Sequence, residues 1–327
     1  MRIFSGIQPT GAKHLGNYIG AIRRWVDSQD QGEQFICLVD LHSITVSYDP
    51  DELRESTLSL AAILFASGLD PERCTVFVQS HNSDHPEAAW LLAAAASIGE
   101  LRRMTQFKEK AEQQDFVSVG LFTYPVLQAA DILLYQTDVV PIGEDQRQHV
   151  ELTRDVAERF NSRFGETFVL PRPVVPELGA KITDLQEPTK KMSTTGGTPQ
   201  GTVLMLDQPD VLRKKIKSAV TDSGREVRRG PGKEGIENLI SIMSVSTGDT
   251  AEALEARYDG AGYGDFKGDV AESVIELLAP IQTRYRELRD DPAELDRLLA
   301  VGAEKARAVS APTLALMYER MGFVARP

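Results

Sequence analysis

Four short apolar runs, alternating with longer helical patterns, constrain the fold of the first half of the chain more than any other feature. The apolar runs cover residues 2–7, 34–40, 74–80 and 138–143, and the helical patterns cover residues 17–29, 51–68, 86–96 and 125–136. Strands that are apolar along their whole length are typical of a parallel sheet with helices on both faces. Ligands of such sheets bind at the carboxyl ends of the strands.

The second half of the chain has a different pattern. Residues 166–188 are rich in proline and are expected to be extended, and from about residue 208 the pattern is almost wholly helical. Glycine clusters at 224–235 and 259–268 are typical of turns between helices. We therefore expect an α/β fold with a Rossmann-like parallel-sheet catalytic domain at 1–183, a smaller all-helical domain at 184–284, and C-terminal helices at 285–327 that pack back near the first domain.

Composition narrows the class of protein. Hydrophobic residues make up 42% and charged residues 26% of the 327 residues, which is ordinary for a globular enzyme. No apolar run approaches the ~18 residues of a membrane span, and the first residues do not resemble a signal peptide. Cys37 and Cys74 lie in apolar runs and are expected to be reduced core residues. The sequence thus predicts a cytoplasmic protein without a membrane partner.

The charge of the chain is unevenly distributed. The net charge is −12, yet residues 211–233 carry eight basic and two acidic residues. Such a local excess of positive charge is typical of a surface that contacts phosphates, although the whole chain is too acidic for a nucleic-acid coat protein. The alternative is a solvated helix face followed by a loop.

Glycine is concentrated in residues 4–21, where the first strand turns into the first helix. Glycines at this position let backbone N–H groups approach an anionic ligand closely. The spacing matches neither the dinucleotide-binding motif nor the P-loop. The segment PTGAKHLGN (9–17) instead resembles the HIGH signature of class I aminoacyl-tRNA synthetases and related nucleotidylyltransferases. A glycine-rich turn with a hydrogen-bonded histidine is the alternative.

The segment KKMSTT (190–195) resembles the KMSKS loop of the same class. A loop rich in lysine and serine suits a transition state whose phosphate charge must be neutralised. The resemblance implies that Lys191 holds pyrophosphate. The second lysine of the family motif is Thr194 here and its last serine is Thr195, so that Lys110 is a candidate source of the missing charge. The glycine-rich segment 196–201 is expected to give the loop flexibility.

One buried carboxylate is expected on the helical pattern TYPVLQAADILLYQTD (123–138). Tyr124, Gln128, Asp131 and Tyr135 share one stripe at helical spacing, among apolar neighbours. A buried carboxylate is costly unless it accepts hydrogen bonds. Asp131 is therefore either an acceptor at the base of a side-chain pocket or a core residue bonded to backbone or arginine. Pro125 is expected in the first turn of this helix.

Five stretches, at 4–11, 103–110, 123–135, 143–155 and 215–223, together resemble the bacterial tryptophanyl-tRNA synthetases. In that family the aspartate matching Asp131 accepts the indole N–H. Tryptophan offers only this donor, so that a buried carboxylate is its natural partner. A site built around such a bond rejects an isostere without the donor by ~10⁴-fold. Position 128 is usually methionine in the family, and Gln128 makes the pocket wall more polar.

The resemblance implies a set of site residues. Gly143 and Asp145 are expected at the ribose, although an acidic helix start is the alternative for this segment. The implied catalytic residues are His14, Lys110, Lys191 and Ser193. The implied ATP site consists of Gln8, Pro9, Thr10, Gly16, Asn17, Gly143, Glu144, Asp145, Ile182, Lys191, Met192, Ser193, Thr194 and Thr195. The implied L-tryptophan site consists of Phe4, Tyr124, Gln128, Asp131, Val140 and Gln146.

The resemblance also implies the reaction and its partners. They are L-tryptophan, ATP with Mg²⁺, tRNA(Trp) and a second copy of the chain, with residues 86–101 as either the dimer face or a buried core helix. His81, His85 and His149 lack metal-ligand spacing, so that no zinc site is expected, and His42 is equally consistent with a structural or a functional role. A tyrosyl-tRNA synthetase, a small-molecule adenylyltransferase and a tryptophan-binding regulator are the alternative functions.

Overall fold

The computed structural model describes residues 1–112, 116–175, 182–194 and 196–324, without the side chains of residues 109–111. Its centre is one parallel sheet in the order β3-β2-β1-β4-β5. Phe4 lies opposite Phe35, and Phe35 lies opposite Thr75, in the register of the first three strands. The strands are β1 (Arg2–Ile7), β2 (Glu33–Leu38), β3 (Thr75–Val78), β4 (Val139–Pro141) and β5 (Arg172–Val174).

The predicted α/β fold class is confirmed, and the first four strands coincide with the predicted apolar runs, except that β2 begins one residue before its run. The fifth strand lies in the segment that was expected to be extended. The described helices are α1 (Leu15–Asn17), α2 (Arg23–Asp27), α3 (Asp40–Ser43), α4 (Pro50–Ala66), α5 (Asp84–Ala93), α6 (Ile98–Arg103), α7 (Thr105–Glu112), α8 (Val119–Leu133), α9 (Arg147–Phe164), α10 (Pro209–Lys217), α11 (Glu234–Thr247), α12 (Ala251–Arg257), α13 (Tyr263–Asp290) and α14 (Pro292–Met321). A π-helical turn (Tyr18–Ile22) joins α1 to α2, and 3₁₀ turns lie at Gln79–His81 and Glu144–Gln146.

Two hydrophobic cores cover the two faces of the sheet. Successive residues of a strand point to opposite faces, so that Ile36 lies in one core and Phe35 in the other. The core around Ile36 continues into the helical second half of the chain, where it includes Ile240 and Val270. The core around Phe35 is closed by α8 and α9 and includes Phe160. The two strands β2 and β3 are therefore apolar on both sides, as their sequences predict.

The last helix packs against β3 and α5, where it covers the edge of the sheet. The contact is so close that a Cβ added at Gly302 would lie 1.8 Å from the carbonyl oxygen of Val76. Only glycine fits this position without a backbone shift. Covering an edge strand in this way removes a row of unpaired backbone groups from solvent. Among the described helices, none has the length and apolar character needed to cross a bilayer.

The start of α8 differs from the sequence expectation. The helix begins at Val119, and the Ser118 hydroxyl accepts a hydrogen bond from the Leu121 N–H at 3.0 Å. Pro125 therefore lies inside the helix and not in its first turn, so that the expectation was wrong. Proline costs a helix one backbone hydrogen bond, which the deep burial of α8 against its neighbours offsets. The helix starts at the Ser118 cap, and the burial of Leu121 and Tyr124 holds the turns that precede Pro125.

Candidate active site

A cavity of about 1200 Å³ opens at the carboxyl ends of β1 and β4 and is walled by α8. Parallel sheets place ligands at this position. The volume exceeds that of a typical pocket for one drug-sized ligand, and the cavity has room for two neighbouring molecules. It brings together ten of the residues that the sequence singled out, namely Phe4, Gln8, Tyr124, Gln128, Asp131, Val140, Gly143, Glu144, Asp145 and Gln146.

Asp131 is the most deeply buried charged group of this cavity, with 1% of its surface exposed. Its Oδ1 accepts hydrogen bonds from Gln79 Nε2 and His85 Nδ1, both at 2.6 Å, and its Oδ2 lies 2.8 Å from His42 Nε2. Burial alone would raise the pKa of this carboxyl, but the bonds from the two histidines lower it to about 2. Asp131 is therefore an ionised acceptor.

The expectation that Asp131 needs donors is met by groups that the sequence argument did not assign to it. Among the described residues, neither a backbone group nor an arginine is a partner of the Asp131 side chain. Within the described residues, Oδ1 has two donors and Oδ2 has one. Because each carboxylate oxygen accepts about two hydrogen bonds, one acceptor position remains on Oδ2. Both Asp131 and His42 line the cavity, so that this position is next to the space where a ligand can bind.

Three functional residues were thus missed or left open by the sequence. His42 was left between a structural and a functional role, His85 was considered only as a metal ligand, and Gln79 was not considered. Gln79 directly follows β3, and His42 lies in the short helix that follows β2. The rule that sheet ligands gather at the carboxyl ends of strands would have found these two. It would not have found His85, which lies in α5.

Tyr124 forms the neighbouring part of the cavity wall. Its hydroxyl lies 2.8 Å from His149 Nε2 and donates to Gln106 Oε1 at 3.3 Å. Its ring meets the ring of His42 edge to face, with centroids 6.3 Å apart. Burial raises the pKa of Tyr124 to about 12, so that the phenol stays protonated and offers a neutral polar group to the cavity. Gln128 lies one helical turn further on and lines the cavity. Its side chain has no hydrogen bond to another described residue.

The opposite wall is the turn between β4 and α9. A Cβ added at Gly143 would lie 2.5 Å from Asp145 Oδ1, so that a side chain there would displace this carboxylate. Gln146 Nε2 donates to Asp145 Oδ2 at 2.9 Å, which holds this carboxylate at the cavity. Glu144 accepts two hydrogen bonds from Arg147, at 2.5 and 2.8 Å. This hydrogen bonding lowers the pKa of the glutamate.

The two signature segments lie against each other, although they are about 175 residues apart in sequence. A Cβ added at Gly16 would be 3.7 Å from Met192 Cβ, and one added at Gly11 would be 3.2 Å from Thr194 Oγ1. Gly11 also has a φ of +63°, which favours glycine. The Met192 N–H donates to the Ile182 carbonyl at 3.2 Å. The structure thus brings the predicted histidine-containing turn and the predicted lysine-containing loop into contact.

His14 lies at the centre of this contact and is 6% exposed. Burial, and next the charges of Lys191 and Lys13, lower its pKa to about 4. The imidazole is therefore neutral near pH 7. Its Nδ1 has no hydrogen-bond partner among the described residues. A neutral imidazole with one unused nitrogen can donate to, or accept from, a ligand at this position.

Lys13 is a further charged group that the sequence argument did not select. Its ammonium donates to the carbonyl oxygens of Gln8 and Thr10, both at 2.9 Å, so that it fixes the conformation of the turn. Burial lowers its pKa to about 8. The pattern of the turn contains no feature that indicates an inward-pointing lysine.

The loop around Lys191 is built on one buried carboxylate. Asp184 Oδ1 accepts from the backbone N–H groups of Gln186 and Glu187, at 2.8 and 3.1 Å. Cβ atoms added at Gly197 and Gly201 would lie 2.8 and 1.8 Å from oxygens of Asp184. Gly197 and Gly201 belong to the segment that was expected to make the loop flexible. Close packing around the Asp184 carboxylate is a second reason for glycine at both positions.

Two predicted site residues lie outside this description, namely Thr195 and the side chain of Lys110. Lys190, the neighbour of Lys191, forms an ion pair with Glu187. In the part of the chain that the structure describes, no group of three or more histidine, cysteine, aspartate or glutamate side chains is arranged to hold a metal ion. The expectation of no zinc site stays a prediction.

Comparison with known proteins identifies the family of the chain. Residues 1–279 match the family model described as tRNA synthetases class I (W and Y). The tryptophan–tRNA ligase 2 of Streptomyces avermitilis is 54% identical to this chain, and the match covers 99% of the chain and 97% of that protein. The tryptophan–tRNA ligase of Caldanaerobacter subterraneus subsp. tengcongensis is 52% identical, with 99% of both chains covered.

A solved structure gives the same result in three dimensions. The tryptophanyl-tRNA synthetase of Campylobacter jejuni, in complex with ADP and tryptophan, superposes with a TM-score of 0.88 and 34% sequence identity. The superposition covers 99% of this chain and 100% of that one. The similarity extends over the sheet and over the helical second half alike.

Proposed function

The chain belongs to the class I tRNA synthetases of the tryptophan and tyrosine group and is an aminoacyl-tRNA synthetase with tryptophan–tRNA ligase activity, and from this premise we propose which residues carry each step. Its full-length relatives are tryptophan–tRNA ligases, which favours this activity over the tyrosine-specific alternative. They equally favour an active enzyme over a small-molecule adenylyltransferase or a tryptophan-binding regulator.

The reaction has two displacement steps. The carboxylate of L-tryptophan attacks the α-phosphorus of ATP, which forms tryptophanyl-adenylate and releases pyrophosphate. A ribose hydroxyl of the terminal adenosine of tRNA(Trp) then attacks the acyl carbon, loses its proton and releases AMP. Neither step needs a protein nucleophile, because positioning and charge neutralisation supply the catalysis.

The observation that carries the proposal is the buried, ionised Asp131 with one open acceptor position at the cavity. We assign the indole N–H to this position on Oδ2. His42 and Tyr124 meet edge to face beside it and provide an aromatic wall for the ring. The remaining residues assigned to L-tryptophan are Phe4, Gln128, Val140 and Gln146.

The nucleotide is assigned to the side of the cavity that leads to the two signature segments. Asp145, held by Gln146, is an acceptor for ribose hydroxyls, and Gly143 and Glu144 shape that turn. The neutral His14 faces the phosphates together with Lys191, because both lie where the turn and the loop meet. The other residues assigned to ATP are Gln8, Pro9, Thr10, Gly16, Asn17, Ile182, Met192, Ser193, Thr194 and Thr195, with Lys110 as a source of positive charge.

ATP enters as its Mg²⁺ complex in this proposal. The described residues offer no cluster of three or more acidic, histidine or cysteine ligands for the ion, so that the phosphates are its principal ligands. The protein then contributes cations and N–H groups around the phosphates. Lys191 would follow the pyrophosphate as it leaves.

Transfer RNA is assigned to the helical region at 184–284. Half of the eight basic residues at 211–233 are already engaged within the fold: Lys215 with Asp207 at 2.7 Å, and others through Glu272, Glu255 or Tyr263. Lys214, Lys217, Arg225 and Arg228 are exposed. We assign phosphate contacts to these four, which would give salt-dependent binding without choice of sequence.

A homodimer in the cytoplasm completes the proposal. Trp90 is 80% exposed on α5, and Ile98 is 63% exposed at the start of α6. Large apolar side chains at such exposure are typical of a protein–protein contact. Both lie in residues 86–101, the segment for which the sequence left open a dimer face or a buried helix. We assign this face to a second copy of the chain.

ATP–pyrophosphate exchange tests the proposal. Purified protein with ATP and Mg²⁺ should catalyse exchange with L-tryptophan, and not with L-tyrosine or L-phenylalanine at comparable concentrations. Asp131→Ala should abolish the tryptophan-dependent exchange, since it removes the acceptor. Exchange that depends on tryptophan but is insensitive to Asp131→Ala would overturn the assignment of the indole site.

A further inference from the structure

A line of buried polar side chains leads from Asp131 away from the cavity to the C-terminal helix. His85 Nδ1 lies 2.6 Å from Asp131 Oδ1, and His85 Nε2 lies 2.8 Å from the Tyr135 hydroxyl. Asn82 Nδ2 donates to that hydroxyl at 3.4 Å and to Ser310 Oγ at 2.9 Å. Ser310 Oγ in turn donates to Asp84 Oδ2 at 2.5 Å. All of these side chains are more than nine-tenths buried, namely Asn82, Asp84, His85, Asp131, Tyr135 and Ser310.

One arrangement of protons satisfies every bond in this line. The Asn82 oxygen accepts from the Asp84 N–H at 3.2 Å, which orients the amide so that its nitrogen faces Tyr135. Since an amide nitrogen only donates, the Tyr135 oxygen accepts, and the single phenol proton is directed to His85 Nε2. The proton of His85 is then on Nδ1, where it donates to Asp131 Oδ1.

Burial acts in the same direction as this geometry. It raises the pKa of the Tyr135 phenol well above its usual value, so that the phenol keeps its proton. The opposite tautomer of His85 would place a lone pair against the charged Oδ1 of Asp131, which is repulsive. The phenol of Tyr135 and the charge of Asp131 therefore both favour the tautomer of His85 with its proton on Nδ1.

We propose that His85, held in its Nδ1–H form by Tyr135, is a positioning residue for substrate selection, because it keeps Asp131 Oδ1 occupied and leaves Oδ2 as the acceptor for the ligand. This inference rests on the proposed assignment of the indole N–H to Asp131. His85 does not line the cavity and acts only through Asp131. The line of bonds also ties the specificity group to Ser310 of α14, which is distant in sequence.

The variant Tyr135→Phe tests the inference with the loss of one oxygen atom. It removes the donor to His85 Nε2, so that only the charge of Asp131 still favours the proton on Nδ1. We expect the KM for tryptophan to rise about tenfold, as for the loss of one well-placed bond, with the KM for ATP unchanged. Tyr258→Phe is the matched control, because it removes a phenol bond of 2.7 Å to Asp269 in the helical half. It should lower stability and leave both KM values unchanged.

The histidine itself allows a second comparison. His85→Asn keeps a donor near the position of Nδ1, and His85→Leu removes it. We expect His85→Asn to bind tryptophan within about threefold of the wild type, and His85→Leu to bind it at least tenfold more weakly. Ring ¹⁵N shifts of His85 should show a protonated Nδ1 in the wild type and a larger population of the Nε2–H tautomer in Tyr135→Phe. This spectroscopic measurement does not depend on whether His85→Leu folds.

The outcomes separate the inference from the function on which it rests. If Asp131→Ala abolishes exchange while Tyr135→Phe changes neither the KM for tryptophan nor the ¹⁵N shifts, the positioning role is refuted and the indole assignment stands. If Asp131→Ala leaves exchange unchanged, the indole assignment fails and the positioning role fails with it. A rise in the KM for ATP as large as that for tryptophan would assign the network to general stability, and would also refute the inference.

Discussion

Replacement of Asp131 by asparagine tests the site more sharply than its removal, because the side chain keeps its shape and loses its charge. In the wild type, three donors from Gln79, His85 and His42 converge on two oxygens. The amide of Asp131→Asn retains one oxygen, which accepts about two bonds, and adds two donors of its own. At least one buried donor is then left unpaired, which costs about 1–3 kcal/mol of stability.

The effect on the substrate follows from the same geometry. A hydrogen bond from the indole N–H to a charged acceptor contributes about 1.5–3 kcal/mol. At 1.4 kcal/mol for each factor of ten, its loss lowers kcat/KM for tryptophan by about 10- to 150-fold. Phenylalanine has no N–H to lose, so that its kcat/KM should not fall. The preference for tryptophan over phenylalanine should therefore fall by the same factor.

The assay is ATP–pyrophosphate exchange at saturating ATP, with urea unfolding measured on the same preparations. Asp269→Asn is the control, since Asp269 accepts a partly buried phenol bond in the helical half and lies outside the cavity. A folded Asp131→Asn protein with kcat/KM for tryptophan within threefold of the wild type would refute the reasoning. An equal fall for phenylalanine would refute it as well, because it would indicate a general disturbance of the cavity.

Four further predictions concern other groups of the site. Gln128→Met should lower the inhibition constants of apolar indole analogues about tenfold, because the wall loses a polar amide that has no partner among the described residues; unchanged constants would contradict this. Thr194→Lys should raise kcat for adenylate formation about tenfold or more with little change in the KM for tryptophan, since it adds a cation next to Gly11; an unchanged kcat would place this residue away from the phosphates. The native pKa of Lys13 is about 8 and its usual value is 10.5, so that between these pH values the unfolded chain binds more protons and stability rises with pH. The free energy of unfolding should therefore increase by about 3 kcal/mol from pH 7 to pH 10.5 relative to Lys13→Met. Parallel curves of unfolding free energy against pH for the two proteins would contradict this. The pKa of Asp131 is lowered to about 2, so that its contribution to stability is complete above its unfolded value of 3.8 and is lost as the pH falls toward 2; acid titration of the wild type should show this loss and that of Asp131→Asn should not.

The sheet could be predicted from the sequence because its strands are buried on both faces. Ile36 and Phe35 are neighbours in sequence and lie in different cores, so that the apolar run is continuous and its ends are visible. Strand β5 could not be found in this way, since it has three residues, one of them proline, at the edge of the sheet. The start of α8 was wrong for the opposite reason, because a strong local preference of Pro125 is overridden by burial.

Single residues of the proposed site could be predicted from the sequence, but the hydrogen-bond network around Asp131 could not. The apolar surroundings of Asp131 indicate that it needs donors, but the donors come from the 3₁₀ turn after β3, from α3 and from α5, which are 46 to 89 residues away in sequence. The order of the strands determines which elements face α8, and this order cannot be predicted from residue spacing. Charge counting has the same limit: Lys215 belongs to the basic segment by composition and is buried against Asp207 in the structure.

The two halves of the proposed reaction are supported by different cores. Ile132 and Tyr135, the neighbours of the tryptophan acceptor, belong to the core on the α8 and α9 face of the sheet. Leu15 and Met192, which flank the phosphate-facing histidine, belong to the core that continues into the helical half of the chain. A shift of the helices at 209–290 against the sheet would therefore change the contact between the two signature segments and leave the network around Asp131 in place.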